Sequence, residues 1–338
     1  MKYRSRIDPE LRTIARKIPY NKFLIKCANI FQAVSFRFTK LPQGVVNRRM
    51  IVEGYKGLKF RTEIFEPSSQ ILTAKSSASL ACGGIQPVGG KDRGKLPCLI
   101  YVHGGAFSYR ASAYHKKLAC IYAAKAKCRV YFPDYHLMPA YPYPAAYADV
   151  AALYRYILDH ADEAGIDVEK IGVAGDSAGA CIAALLCNRY EQEALKRPCV
   201  QMLVYPLTDA DMRTESMKRF SDTPLWNSKN NRRMWRYYCG NLNAEERYGA
   251  SPMHGSLPGN IPDTYIETAE YDCLHDEGIL YGKKLRAAGV NVVINDTEGT
   301  FHGYDVALNT GIAVRNIKRR ISFLRKEFGK QTLRSLSC

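Results

Sequence analysis

The sequence predicts an α/β protein, with a mostly parallel sheet covered by helices on both faces. Three observations carry this. From residue 96 onward, short apolar strand-like runs alternate with helical patterns, and that alternation demands crossover connections over a covered sheet. A turn rich in small residues, Gly175-Asp176-Ser177-Ala178-Gly179, stands between an apolar strand and a buried helix. An acidic run and a histidine then follow later strands, at the sheet end where reacting groups collect in open α/β folds.

Taken in order, Asp8 and Pro9 mark a helix start, as N-cap and first helical residue. Phe23, Leu24, Cys27, Ile30, Phe31 and Val34 recur at spacings of three and four, which makes one apolar helical face. Two amphipathic helices ahead of the first strand are therefore expected to pack on something later in the chain. Residues 45–55 and 58–65 read as a strand pair around Lys56-Gly57. The Ser-, Ala- and Gly-rich stretch 67–95 gives no confident element.

Strands are then expected at 96–102, 128–132, 170–174 and 200–205, with helices at 112–125, 143–160 and 178–190 between them. Residues 209–249, with both tryptophans and a helical piece around 230–238, break the alternation as an excursion from the sheet. It resumes with a strand at 264–268, a helix at 276–288, a strand at 291–295 and a last helix over 304–327.

Ser177 sits where a strand turns sharply into a helix. Such a turn exposes its central hydroxyl, and the flanking positions must be small because the two backbones nearly touch. Free N–H groups at the helix start suit a developing oxyanion. A serine needs a base, and the base needs an acid to orient it. His302 follows the final strand in a glycine-flanked turn. For the acid, Glu270, Asp272 and Asp276 all stand near the end of the preceding strand, and spacing alone does not choose among them, although Asp276 also suits a helix start. Gly104 and Gly105, directly after the first parallel strand, offer unobstructed backbone donors for an oxyanion hole that Ala178 N–H completes.

These motifs resemble those of the hormone-sensitive-lipase-like esterases of the α/β-hydrolase superfamily. The H-G-G-G of that family appears as His103-Gly104-Gly105-Ala106, and its G-D-S-A-G as residues 175–179. The run from Asp134 to Ala146, the Glu270-Tyr271-Asp272-Cys273-Leu274-His275-Asp276 run and Phe301-His302-Gly303-Tyr304 resemble its remaining motifs. The resemblance spans about 96–325. It selects Asp272 as the acid and implies an α/β-hydrolase fold, in which residues 1–44 supply cap helices, 45–338 the catalytic domain and 209–249 a cap insertion. It implies a Ser177–His302–Asp272 triad and short acyl esters, acetyl to about hexanoyl, as substrates. No metal or organic cofactor is implied.

Three departures stand out. Ala106 replaces a glycine, keeping its N–H but adding a methyl group that narrows the pocket. His136 and Ala140 replace an Arg and a Glu, so a structural ion pair is expected to be missing. The 67–95 stretch is longer than usual. His103 is expected to shape its loop rather than act as a second base. Amidases and peptidases use the same triad. Receptors of this family keep the pocket and lose the histidine, and the presence of His302 argues against that role.

Composition bounds the remaining functions. No run of 18 uncharged apolar residues exists, so no membrane insertion is expected, and no leader peptide is read because Lys26 interrupts the nearest apolar stretch. Eleven cysteines without a C-x-x-C fit reduced thiols in a cytoplasm. The net charge of +17 is spread along the chain without a nucleic-acid motif, so a solvated basic surface is expected rather than a nucleic-acid partner. The first 40 residues carry ten Lys and Arg against Asp8 and Glu10, enough for weak contact with an anionic surface. A homodimer is left open.

Overall fold

The computed structural model describes residues 3–68, 94–240 and 242–330. Eight strands form one sheet: β1 (Val45–Glu53), β2 (Lys59–Pro67), β3 (Leu96–Val102), β4 (Arg129–Pro133), β5 (Ile166–Asp176), β6 (Val200–Val204), β7 (Asp263–Tyr271) and β8 (Val292–Phe301). Their order is β1-β2-β4-β3-β5-β6-β7-β8. β1 and β2 pair antiparallel through Val45↔Pro67 to Glu53↔Lys59, and β2 joins β4 antiparallel. From β4 to β8 every pairing is parallel. The sheet is thus mostly parallel, as the alternation requires.

The first strand pair turns where expected. Lys56 and Gly57 both have positive φ, 51° and 74°, which glycine tolerates freely. Of the 67–95 stretch, Pro67 ends β2, and residues 69–93 lie outside the described residues.

The α-helices among the described residues are α1 (Lys22–Phe38), α2 (Ala113–Ala126), α3 (Ala145–Asp159), α4 (Ala178–Arg189), α5 (Glu215–Arg219), α6 (Ser228–Cys239), α7 (Ala244–Gly249), α8 (His275–Ala287) and α9 (Gly311–Phe328). Side chains of α3, α4 and α8 fill the core on one face of the sheet, and those of α2 and α9 the core on the other. Central strands alternate between the two: Ile171 and Val173 of β5 point into the first core, Ala174 into the second. The central strands are buried on both faces, which is why they read as nearly continuous apolar runs.

Two expectations for the N-terminus need correction. Asp8 does cap a turn, accepting from Glu10 N at 2.9 Å, but only a 3₁₀ turn over Pro9–Leu11 follows instead of an amphipathic helix. The segment is held as a strap. Asp8 N donates to Gly299 O, Leu225 N donates to Arg16 O, and Tyr3, Ile7, Leu11, Ala15 and Tyr20 are buried. Tertiary anchoring overrides helix propensity here. In α1, moreover, the apolar face does not pack inward: Phe23, Leu24, Cys27, Ile30, Phe31 and Val34 are exposed, and only Ile25 and Phe36 are buried. Hydrogen bonds set the rotation of α1. Asn29 grips residues 108 and 110, and Lys116 Nζ donates to Phe36 O at 3.1 Å.

The final helix starts later than its periodicity suggests. A 3₁₀ turn over Tyr304–Val306 comes first, and α9 begins after Thr310, whose side chain caps it. His136 is not left without a partner either. Its Nδ1 and backbone N both meet Asp149 Oδ2 at 2.7 Å, and Asp149 Oδ1 accepts Tyr55 N, so a histidine–carboxylate contact stands where an ion pair was expected to be missing.

Candidate active site

Ser177 caps α4 with φ 54° and ψ −118°, a conformation that L-residues other than glycine rarely adopt. The surroundings enforce it. A Cβ on Gly175 would lie 2.3 Å from Gly179 C, and one on Gly179 would lie 2.1 Å from Val102 O. Strand β5, helix α4 and strand β3 are therefore in backbone contact at this point. Ser177 N donates to Val204 O at 2.9 Å, which ties the turn to the end of β6.

Two later turns complete the constellation. Asp272 follows β7 and His302 follows β8. Ser177 Oγ and His302 Nε2 are 2.9 Å apart, and His302 Nδ1 lies 2.7 Å from Asp272 Oδ2. Asp272 is fully buried, and its other oxygen accepts Leu274 N at 3.0 Å. The rival acids are engaged elsewhere: Glu270 accepts Gly299 N, and Asp276 accepts Ser216 N and meets His275. A hydroxyl, an imidazole and a buried carboxylate in series can move a proton off the hydroxyl and hold the resulting imidazolium. Tyr205 and Trp226 flank the imidazole, with ring centroids at 4.7 and 6.1 Å.

Gly104 does not serve as the sequence suggested. Its N–H donates to Asp176 Oδ2 at 3.1 Å, so it is turned into the protein. Asp176 also accepts Tyr101 OH at 2.9 Å and lies 3.4 Å from His115 Nε2. Burial pushes the Asp176 carboxyl up, but His115 and the Tyr101 hydroxyl outweigh it and leave the group below the ordinary carboxylate value. The charged Asp176 thus pins the start of the loop. Gly105 and Ala106 follow with φ of 114° and 53° and line the cavity above Ser177. Ala178 N–H, at the first position of α4, has no partner within the helix. Phe107 anchors the loop by stacking on Tyr238 at 3.7 Å. His103 is buried, its Nδ1 donates to Gly104 O at 2.6 Å, and burial lowers its pKa to about 3. It is neutral at pH 7 and holds the loop, as expected from the sequence.

The site opens into a cavity of about 700 Å³. Its walls join the strap (Tyr20), α1 (Leu24, Phe31), the excursion (Trp226) and the two turns. Asn230 Nδ2 donates to Ile18 O at 2.9 Å, and Tyr20 meets Trp226 edge-on at 5.4 Å, so strap and excursion touch over the site. A second cavity of about 640 Å³ lies on the other flank of α1 and contains none of the three reactive side chains. Tyr20, Tyr205 and Asp176 were not singled out from sequence. Only Asp176, inside the serine motif and spaced to reach back to β3, carried a usable signal.

His275, three residues after the acid, contacts Asp276 Oδ1 at 2.8 Å and Asp296 Oδ1 at 3.1 Å. Burial works against its charge, but hydrogen bonds to Asp296 and Asp276 together raise its pKa to about 9. A raised histidine stabilises fully below its unfolded value of about 6.5, and that contribution is lost as pH rises through about 9. His275→Gln is therefore expected to cost about 1 kcal/mol near pH 6, after allowance for solvent screening, and nothing above pH 9. Urea denaturation at both pH values checks this, and a pH-independent difference would refute it.

Comparison with known proteins agrees with the geometry. A family profile described as alpha/beta hydrolase fold, Abhydrolase_3, matches residues 99–306. Esterase LipI of Mycobacterium tuberculosis is 34% identical over 214 residues, covering 63% of this chain and 67% of that protein. An ethyl acetate hydrolase of Pseudomonas putida is 30% identical over 207 residues, 61% of this chain and 65% of that protein. A bacterial heroin esterase structure superposes with a TM-score of 0.82 at 27% identity, covering 96% of this chain and 99% of the other. With an eight-stranded, mostly parallel sheet, a nucleophile-type turn and these relatives, the chain belongs to the Abhydrolase_3 family of α/β hydrolases, the hormone-sensitive-lipase-like group, and is a carboxylesterase-type hydrolase.

Proposed function

We propose that the protein hydrolyses short-chain carboxylic esters through a Ser177–His302–Asp272 triad. The observation that carries this is the unbroken contact chain from Ser177 Oγ to His302 to the buried Asp272, at 2.9 and 2.7 Å. Ser177 Oγ attacks the acyl carbon as His302 Nε2 takes its proton. Asp272 fixes the imidazole tautomer and stabilises the imidazolium. The carbonyl oxygen becomes an oxyanion held by the N–H groups of Gly105, Ala106 and Ala178. His302 returns the proton to the leaving alkoxide, and the alcohol departs. Water, deprotonated by the same imidazole, then hydrolyses the acyl-enzyme.

The acyl group is acetyl to about hexanoyl in this reading. Ala106, where the family has a glycine, lines the cavity at the oxyanion loop, the cavity is about 700 Å³, and one relative is named for ethyl acetate. Residues 1–44 and 209–249 act as the cap. The nine cysteines among the described residues are all free thiols, which supports a cytoplasmic setting. Among the described residues no helix is long and apolar enough to cross a membrane.

Initial rates on p-nitrophenyl esters from acetate to decanoate test this. kcat/KM is expected to be highest between acetate and hexanoate and to fall by about tenfold or more at decanoate, as the acyl chain outgrows its pocket. A rate that rises through decanoate would overturn the short-chain reading. Folded protein inactive on every ester but active on anilides would overturn ester specificity in favour of an amidase.

A further inference from the structure

Helix α1 is mounted with its apolar stripe facing outward. Ile25 and Phe36 touch the body of the protein, while Phe23, Ile30, Phe31, Val34 and Phe38 are 74, 63, 74, 51 and 75% exposed. At 100° per residue these five fall within about a quarter-turn of one another. Among the described residues the stripe is left more than half exposed, with Ile30 and Val34 at the rim of the second cavity. Phe31 and Leu24 reach past its edge to line the catalytic cavity, so stripe and cavity mouth are continuous. A contiguous apolar patch on an exposed helix marks an interaction surface.

Charge identifies the partner. Between Glu10 and Glu53 the chain has nine lysines and arginines and no acidic residue. Lys22, Lys26 and Arg37 lie along the edge of the stripe and Lys40 just beyond its end. A second copy docking this face by two-fold symmetry would set these cations against themselves. An anionic lipid surface would attract them while it takes up the aromatic and aliphatic side chains. A helix with an apolar face, basic flanks and no span-length apolar run is the form that lies in such an interface. We propose that α1 docks the protein on anionic lipid surfaces, with the mouth of the catalytic cavity at the interface. Lipophilic esters dissolved in the surface would then reach Ser177 beside Leu24 and Phe31 without crossing bulk water.

The test separates docking from catalysis. Ser177→Ala protein is sedimented with vesicles of phosphatidylcholine alone or with about 30% phosphatidylglycerol, at low and physiological salt, where screening length differs. Binding is expected to the anionic vesicles, weakened by salt, and reduced by about tenfold or more in Phe23→Ser/Ile30→Ser/Phe38→Ser on the same background. These three side chains are outside the catalytic cavity. The same triple substitution in the active protein should leave hydrolysis of a soluble short ester within about twofold, a readout that fails only if the esterase reading or the fold fails. No binding to anionic vesicles, equal binding to both vesicle types, or binding untouched by the triple substitution would overturn the proposal. A lipid-free dimer that the triple substitution turns into monomers would make a second copy the occupant and overturn it as well.

Discussion

Ser177→Ala is expected to lower kcat for ester hydrolysis by about 10⁴-fold or more while leaving the protein folded. The size follows from triad chemistry, because the base and the acid have nothing to act on once the hydroxyl is gone, and removing the serine or the histidine alone costs nearly as much as removing the whole triad. His302→Ala should give a similar loss without adding to it in the double variant. Alanine retains the Cβ and so remains strained at φ 54°. Ser177→Gly removes that strain as well, and should be more stable than Ser177→Ala by about 1 kcal/mol, within the range expected at strained sites. Stopped-flow or steady-state rates on p-nitrophenyl acetate and urea titrations of the two variants check both halves. Residual activity in Ser177→Ala within tenfold of the parent would sink the nucleophile assignment.

Arg320→Met is expected to be strongly destabilising, at about 3–5 kcal/mol, because it leaves two buried carboxylates without their cation. Arg320 is 1% exposed and lies on α9. Its Nε donates to Glu267 Oε2 at 3.0 Å and its Nη1 to Asp305 Oδ2 at 2.7 Å, with Nη2 closing the fork on Glu267. Burial pushes the Glu267 carboxyl up, but the Arg320 charge outweighs it and keeps the group ionised. Tyr304 and Tyr265 donate to the same Glu267 carboxylate, and Tyr205 donates to Asp305 Oδ1 at 2.7 Å. Tyr205 is the ring beside His302, so the network also positions the imidazole. Activity should fall along with stability. Arg320→Lys, which keeps the charge and loses the fork, should recover part of the stability. Chemical denaturation of the three proteins measures it, and an Arg320→Met loss under 1 kcal/mol would contradict the account.

The parts of the site that were legible in the sequence are those where local sterics leave no choice. Gly175 and Gly179 must lack side chains because β3, β5 and α4 meet there, and that requirement is written in the residues themselves. His302 was legible because it follows the last strand in a turn with Gly303. Spacing alone does not choose Asp272 over Glu270 and Asp276; the motif resemblance selects it, and the path of β7 into α8 is what turns that carboxylate toward His302. Gly104 and Gly105 look alike in a sequence. What separates them is Asp176, 72 residues on, which claims one N–H and leaves the next free. The rotation of α1 was likewise unreadable, because periodicity shows that a helix has an apolar face but not which way that face is turned.

The grip of Asn29 has a mechanical consequence. Its side chain donates to Ser108 O at 2.9 Å and accepts Arg110 N at 2.8 Å, while Tyr20 OH meets Ser108 Oγ at 2.6 Å and Ser108 Oγ donates to Ala106 O at 3.0 Å. The covering segment is thus bolted to the loop that carries Gly105 and Ala106. A force that lifts the cover is transmitted through three hydrogen bonds to the electrophile-binding loop, so the roof of this enzyme is also a wall of its reaction vessel. Any surface that pulls on α1 therefore also has a handle on the geometry at Ala106.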